Sequence, residues 1–351
     1  MSRPARSRCA RDLCRPARRI CCMNRRELLA AAAAVPCALA LAPRLTAAPR
    51  GGSPLALVTA DHEAHVVAVA LLTGRVVKRI PTAPGPRSIE SWQQTMAVVA
   101  HTELGVVSLL DGVTLTVSRV VKGFKQPRYT AMRSPVDTLA GSAAIAYVTD
   151  SLRQEVVTLD LARGAIVDRT SVPGPARHVS ISPDGSTVWT ALGTKATQIA
   201  VLDVRNAARP RLVRTISPPF LAHDVVFAPD GKHVWVTSGS RGAIALYTTG
   251  GTRPTRVVRA DASPQHVAFA GGLALVASGD DGTVRVHRPD GALVQTARVP
   301  VGSYNVTYGW QRAVTPSLER GTVCVLDALG RVRTTRRVAR AAHDACVVVS
   351  S

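Results

Sequence analysis

The stretch GPARHVSISPDGSTVWTAL at residues 174–192 is followed at residues 219–239 by PFLAHDVVFAPDGKHVWVTSG, nearly the same phrase written a second time. Repetition at a fixed period constrains a fold more than any single motif, because each copy is one unit that must stack on its neighbours to bury its apolar faces. The phrase recurs along the chain. Strand-like runs start at LALVTAD (55–61), TMAVVAH (95–101), AIAYVTD (144–150), STVWTAL (186–192), KHVWVTS (232–238), LALVASG (273–279) and QRAVTPS (311–317). Each is followed by a polar turn and a second apolar run: VVAVAL, VVSLLD, VVTLDL, IAVLDV, AIALYT, TVRVHR and TVCVLD. A third run carries basic residues, as in VVKRI, VSRVV and RLVRTI, and a fourth, such as HVSIS or HVAFA, follows a Pro- or Gly-containing stretch. Short apolar runs between turn residues, with no helical periodicity, read as strands.

Four short strands in a period of about 40–45 residues make one blade of a β-propeller. Seven copies predict an all-β, seven-bladed ring of four-stranded antiparallel sheets. The first copy starts at Leu55 without an inner strand, whereas the chain ends with HDACVVV (343–349), an inner strand with no blade of its own. Pairing the two removes two open sheet edges, so residues 343–349 are expected to close the ring on the first blade. The expected boundaries are a single propeller over 53–350, a targeting segment over 23–48, and an over-called start or disordered stretch over 1–22.

The repeats carry AYVTDS (146–151) followed by VVTLDL (156–161), and SPDG (182–185) followed by VWTAL. On these motifs the chain resembles the YVTN-repeat, YncE-like propeller family over about residues 53–350, and more distantly the lactonase-type and haem d1-type propellers. It shows no WD dipeptide with its GH partner, no kelch glycine pair and no quinoprotein tryptophan motif. The resemblance implies a periplasmic or extracellular binding protein, with hydrolases and cofactor carriers among its relatives.

Aligning the copies on the inner strand leaves a pair of residues just before its apolar part. The pairs are Arg87-Ser88, Arg128-Tyr129, Arg177-His178, His223-Asp224, Gln265-His266, Tyr304-Asn305 and His343-Asp344. None contains an aliphatic residue. In a propeller these positions open the strand that lines the central channel, so the pairs are expected to converge on one mouth, although strand ends near water are polar in any antiparallel fold. Three adjacent blades offer guanidinium groups, two-pronged donors for carboxylate or phosphate. His178 and His266 beside Asp224 are the candidates for a general base, since a carboxylate fixes the tautomer of a neighbouring imidazole. The expected ligand-binding set is therefore Arg87, Arg128, Tyr129, Arg177, His178, His223, Asp224, Gln265, His266, Tyr304, Asn305, His343 and Asp344.

No metal site or cofactor is expected from local spacing. DHEAH (61–65) has one residue too few between its histidines for HExxH, and a solvated turn is the simpler reading of it. There is no GxSxG, SxxK, GxGxxG, CxxC or CxxCH. A metal, or a haem with His223 or His343 as axial ligand, stands as the lesser alternative. Trp189 and Trp235 occupy equivalent positions and read as blade packing. Cys324 and Cys346 fall in different blades and are expected to be free, buried thiols.

The formal charge is +21, of which residues 1–50 supply +9 from eleven arginines against Asp12 and Glu27 (11 − 2), leaving +12 for the rest. A basic body favours acidic ligands, but only five of its basic residues are lysines and no dense block of like charge occurs. Nucleic acid is accordingly not the expected partner. Met23 opens MNRRELLA, whose Arg25-Arg26 and following apolar run to Ala42 resemble a twin-arginine export signal. The run is too short to span a bilayer. Together these features predict an exported, periplasmic or secreted monomer without a membrane span in the mature chain. It would bind an anionic small molecule or a periplasmic protein partner without catalysis, with a lactonase-type hydrolase as the alternative.

Overall fold

The computed structural model describes residues 52–133, 144–260 and 262–350; the targeting segment expected over 23–48 lies outside them. Among the described residues all regular structure is β, in seven separate four-stranded antiparallel sheets. No helix among them is long and apolar enough to cross a membrane.

Each sheet is one repeat. Blade 4 runs outward from its inner strand Ala176–Ile181 through Thr187–Leu192 and Ile199–Asp203 to Arg211–Ile216. The inner strands of blades 2, 3, 5, 6 and 7 are Ser88–Trp92, Pro127–Met132, Val225–Phe227, Val267–Ala270 and Thr307–Gly309. Blade 1 takes its inner strand from the far end of the chain. Ala342–Ser350 pairs antiparallel with Ser53–Ala60, with Leu55 opposite Val348 and Leu57 opposite Cys346. The ring closure expected from HDACVVV is as the structure has it.

The middle strands of a blade face a neighbour on both sides, which explains why they read as unbroken apolar runs rather than alternating ones. Seven hydrophobic clusters result, one between each pair of adjacent blades. Trp189 packs edge-on against Tyr247 and Phe227 of the next blade, at centroid distances of 5.6 and 6.0 Å. Trp235 does the same against Phe269 at 5.8 Å, so both tryptophans are packing residues. Cys324 and Cys346 are free and buried, in blades 7 and 1. The outermost strands, such as Val76–Pro81 and Val332–Arg337, are largely exposed, and their basic side chains guard the sheet edge against pairing with another chain.

A threonine recurs near the end of the second strand: Thr59, Thr149, Thr190, Thr237 and Thr315, all buried. Four of the five hydroxyls bond inner-strand carbonyls. Thr59 donates toward Arg87 and Asp344, Thr149 toward Tyr129 and Arg177, Thr237 to Gln265 and Thr315 to Asn305. The hydroxyl of the VTAD and YVTD motifs thus ties the starts of the inner strands together around the channel.

Candidate functional site

Adjacent residues of a strand normally point to opposite faces, so a pair can serve the channel together only where pairing slips. In blade 3, Pro127 lies opposite Asp150 but Thr130 lies opposite Val148. In blade 4, Ala176 faces Leu192 and Val179 faces Thr190. In blade 1, Ala342 faces Ala60 and Ala345 faces Val58. In each case two inner-strand residues oppose one, a bulge that re-aims side chains. These bulges contain Arg128-Tyr129, Arg177-His178 and His343-Asp344. In blades 5, 6 and 7 the pair lies just before the strand begins.

Seven of the polar residues expected at the mouth hold the frame. Asp344 accepts from the backbone N–H of Ala345 at 2.9 Å and of Ile89, in the next blade, at 3.1 Å. Asp224 repeats the arrangement with Val225 at 2.9 Å and Val267 of the next blade at 3.2 Å. Asn305 donates to the carbonyl of His343 at 2.8 Å, and Ser88 to that of Arg128. Gln265 accepts from Gly279 N–H at 2.7 Å. The hydroxyl of Tyr304 reaches Asp280 and Glu319, each at 3.3 Å, its ring lying so close over Gly279 that any Cβ there would collide with it. Arg87 is ion-paired with Asp61 at 2.9 Å.

Four of the others converge. Tyr129, His178, His223 and His266 come from blades 3, 4, 5 and 6, and their rings form one cluster of tilted and edge-on contacts in the channel. His178 is central, 4.2 Å from Tyr129, 4.4 Å from His223 and 4.7 Å from His266 by ring centroids. His266 is 5.5 Å from both Tyr129 and His223. One ring nitrogen from each of His178, His223 and His266 lies within 4.8 Å of the other two. Gly239 admits this: its φ is +66°, and a side chain there would press on His223.

The bonding of the three imidazoles differs in a telling way. Nδ1 of His223 faces the carbonyl of Thr194 at 3.3 Å, and Nδ1 of His266 faces a carboxylate oxygen of Asp224 at 3.5 Å. Each contact leaves Nε2 for another task. Both ring nitrogens of His178 are buried without a hydrogen-bond partner, the backbone of His223 lying nearby outside bonding geometry. His343 stands on the same wall and donates from Nδ1 to the carbonyl of Arg87, 2.9 Å away.

Burial, followed by neighbouring imidazoles and arginines, holds His178 and His266 well below the ordinary histidine range. Burial first, and then Arg177, pushes His223 down to about 4 despite the Thr194 carbonyl. Burial and Arg87 take His343 to about 3. Burial works the other way on acids, raising Asp224 and Asp344 to about 7 and the Tyr129 phenol to about 12. Arg128 is lowered by burial and then by Arg177 and Arg87. At neutral pH the cluster consists of uncharged imidazoles beneath cationic guanidiniums.

Several other polar residues on this face have structural partners. His101 is enclosed between the carbonyl of Pro84 and the hydroxyl of Ser108. Asp150 receives the N–H groups of Lys125 and Gln126. In DHEAH, Asp61 pairs with Arg87 and Glu63 accepts from the N–H of Arg340.

Three histidines spaced 45 and 43 residues apart (223 − 178, 266 − 223) match no local ligand motif, because their spacing is the repeat period itself. Superposing the repeats brings all three into the aligned pairs, His223 at the first position and His178 and His266 at the second, whereas reading within one repeat cannot.

No family model and no curated protein matches the sequence. Solved structures do share the fold. A functionally unknown protein from Desulfotomaculum acetoxidans is 12% identical with a TM-score of 0.70, over 84% of this chain and 98% of its own. The apo form of AztD from Citrobacter koseri is 13% identical, TM-score 0.63, over 86% and 99%. A Kuenenia stuttgartiensis hydrazine synthase is 20% identical, TM-score 0.55, over 70% and 77%. At these identities the likeness is one of fold: this chain is a seven-bladed β-propeller.

Proposed function

We propose that this protein is a ligand-binding propeller that holds a divalent transition metal, zinc-like in its preferences, on His178, His223 and His266. The observation that carries the reading is the convergence of three uncharged imidazoles from three successive blades, one with both nitrogens buried and unpartnered. Imidazole suits zinc, copper and nickel, and a metal ligand must be deprotonated. Metal-bound histidines characteristically turn their other ring nitrogen to a carbonyl or carboxylate, which fixes tautomer and orientation. The Thr194 carbonyl and Asp224 stand in those places. Zn–N bonds of about 2.0–2.1 Å require the nitrogens to draw inward, a motion that rotation about the side-chain bonds supplies. Three protein ligands leave a fourth position open, the arrangement that admits water or a ligand.

The test is a titration of the chelator-treated protein with Co²⁺. One equivalent should give the visible absorption of a four-coordinate site, displaced by Zn²⁺ and absent from His178→Ala. Absence of the band from the wild-type protein, or its persistence in the variant, would remove the assignment.

A second reading, an anion held at the mouth, is favoured by the arginines. The Nε atoms of Arg128 and Arg177 are buried without partners. The Arg25-Arg26 segment supports export through the twin-arginine route and a periplasmic location. The lactonase-type alternative rests on His178 or His266 beside Asp224 and would be read as hydrolysis of a lactone lost in the same histidine variants.

A further inference from the structure

The arginines and the imidazoles occupy one mouth, and their charges do not balance. Arg87 is neutralised by Asp61. Arg128 and Arg177, in contrast, make no hydrogen bond or ion pair among the described residues, and each has an orphaned, buried Nε–H. The bulges of blades 3 and 4 put Arg128 next to Tyr129 and Arg177 next to His178 on this wall. The field of Arg177 reaches His178, His223, His266 and His343, and Arg128 also acts on His343. Of the carboxylates around the mouth, Asp224 and Asp344 accept backbone N–H groups and Asp280 and Glu319 hold Tyr304; the exposed Glu103 is the one whose charge reaches Arg128, without pairing with it.

A divalent cation on the three imidazoles would therefore sit beside two guanidiniums that lack an ion-pair partner, among buried groups where like charges repel more strongly than in water. An oxyanion placed between them resolves both problems. One oxygen completes the coordination of the metal, and the remaining oxygens accept from the guanidinium forks and their orphaned Nε–H groups.

Building on the metal reading, we infer that the mouth takes metal and a small oxyanion, a carboxylate or phosphate, as one unit, with Arg128 and Arg177 holding the anion against the metal on His178, His223 and His266. Each ligand then strengthens the other by the same factor, as linkage requires.

The experiment measures Zn²⁺ affinity of the whole mature chain by competition with a chromophoric chelator, in a buffer of weakly coordinating ions. It is repeated with inorganic phosphate and with acetate, each anion's own zinc binding being subtracted. The expected result is an affinity about tenfold or more tighter with one of the two anions, within the usual span of coupling between sites. The anion that acts names the class: phosphate alone for a phosphate ligand, acetate for a carboxylate. The double variant Arg128→Gln/Arg177→Gln should lose this enhancement while binding Zn²⁺ without added anion at least as tightly as the wild-type chain, because the repulsion has gone. Equal zinc affinity in all three buffers overturns the inference and leaves the metal site standing. Failure of the wild-type chain to bind zinc in any buffer overturns both readings. The buffer comparison needs no variant, so a misfolded double variant does not blunt it.

Discussion

The two sides of the channel mouth start from the same repeat position and end in opposite conditions. In blades 6 and 7, Gln265, Tyr304 and Asn305 are tied to Gly279, to Asp280 and Glu319, and to the carbonyl of His343. In blades 3 and 4, Arg128 and Arg177 keep orphaned buried Nε–H groups and His178 keeps two unpartnered nitrogens. Leaving a buried polar group unpaired costs about 1–3 kcal/mol, so folding stability alone would favour pairing these groups or replacing them. Polarity at the mouth therefore does not mark the site. What marks it, among these aligned pairs, is polarity left unsatisfied on residues that meet in one cluster.

This contrast can be broken by exchanging loss of binding for loss of stability. The largest effect is expected from His178→Ala, which should weaken metal binding about 100-fold or more, since removing a residue that merely orients a ligand already costs about 10–100-fold. The same variant should lose the rise in melting temperature that saturating metal gives the wild-type chain, about 2.7 kcal/mol at a hundredfold excess over Kd. A denaturation series with and without Zn²⁺ reads both. On the paired side, Asn305→Ala should do the reverse. It leaves the carbonyl of His343 without its donor and should cost about 1–2 kcal/mol of stability, with zinc affinity unchanged within twofold. A large loss of zinc binding in this variant would merge the two classes.

Glu90 sharpens the comparison from inside the channel. It lies on the inner strand of blade 2, and burial together with the charge of Asp344 raises its carboxyl to about 8, above its ordinary value near 4.5. A folded-state value above the unfolded one means that the native protein holds a proton the unfolded chain releases. Stability is then fully present below about pH 4.5 and is lost as pH rises toward 8. Glu90→Gln should match the wild type at pH 4.5 and melt higher at pH 8. Because the side chain opens on the channel, solvent screening keeps the gain to about 1 kcal/mol. Melting curves at the two pH values decide it, and a gain of equal size at both would refute the titration. The smallest effect belongs to Tyr304→Phe. Its hydroxyl makes two 3.3 Å contacts on the outer side of the mouth, and its removal should change stability by no more than about 0.5 kcal/mol.

The fold was legible because a blade is local. The four-run phrase, the stray HDACVVV strand, the paired tryptophans and the two separated cysteines are all properties of residues near in sequence or of one repeat laid on another. The polar pair was legible on the same ground. The division of labour within it was not. Asp224 reads as a partner for histidine, and an oxygen of it does face His266, but its hydrogen bonds go to the N–H groups of Val225 and Val267. That fact depends on the next blade, 43 residues away. Arg87 reads like Arg128 and Arg177 and differs because Asp61 lies beside it. The resemblance to YVTN-type propellers anticipated the architecture, whereas the site depends on bulges and neighbours that the repeat motif does not encode.

The returning strand Ala342–Ser350 also sets an order in time. Ser53 pairs with Ser350, nearly three hundred residues apart, whereas most other strand contacts join near neighbours in sequence. Closing so long a loop is the entropically expensive contact of the whole chain. Blades 2 to 7 can each assemble from local hairpins, and His178, His223 and His266 can meet, before Ala342–Ser350 docks. Cutting the chain between two blades and linking Ser350 to Ser53 by a short turn would make this contact a hairpin. The refolding rate of such a permutant would then report how much of the barrier this one strand carries.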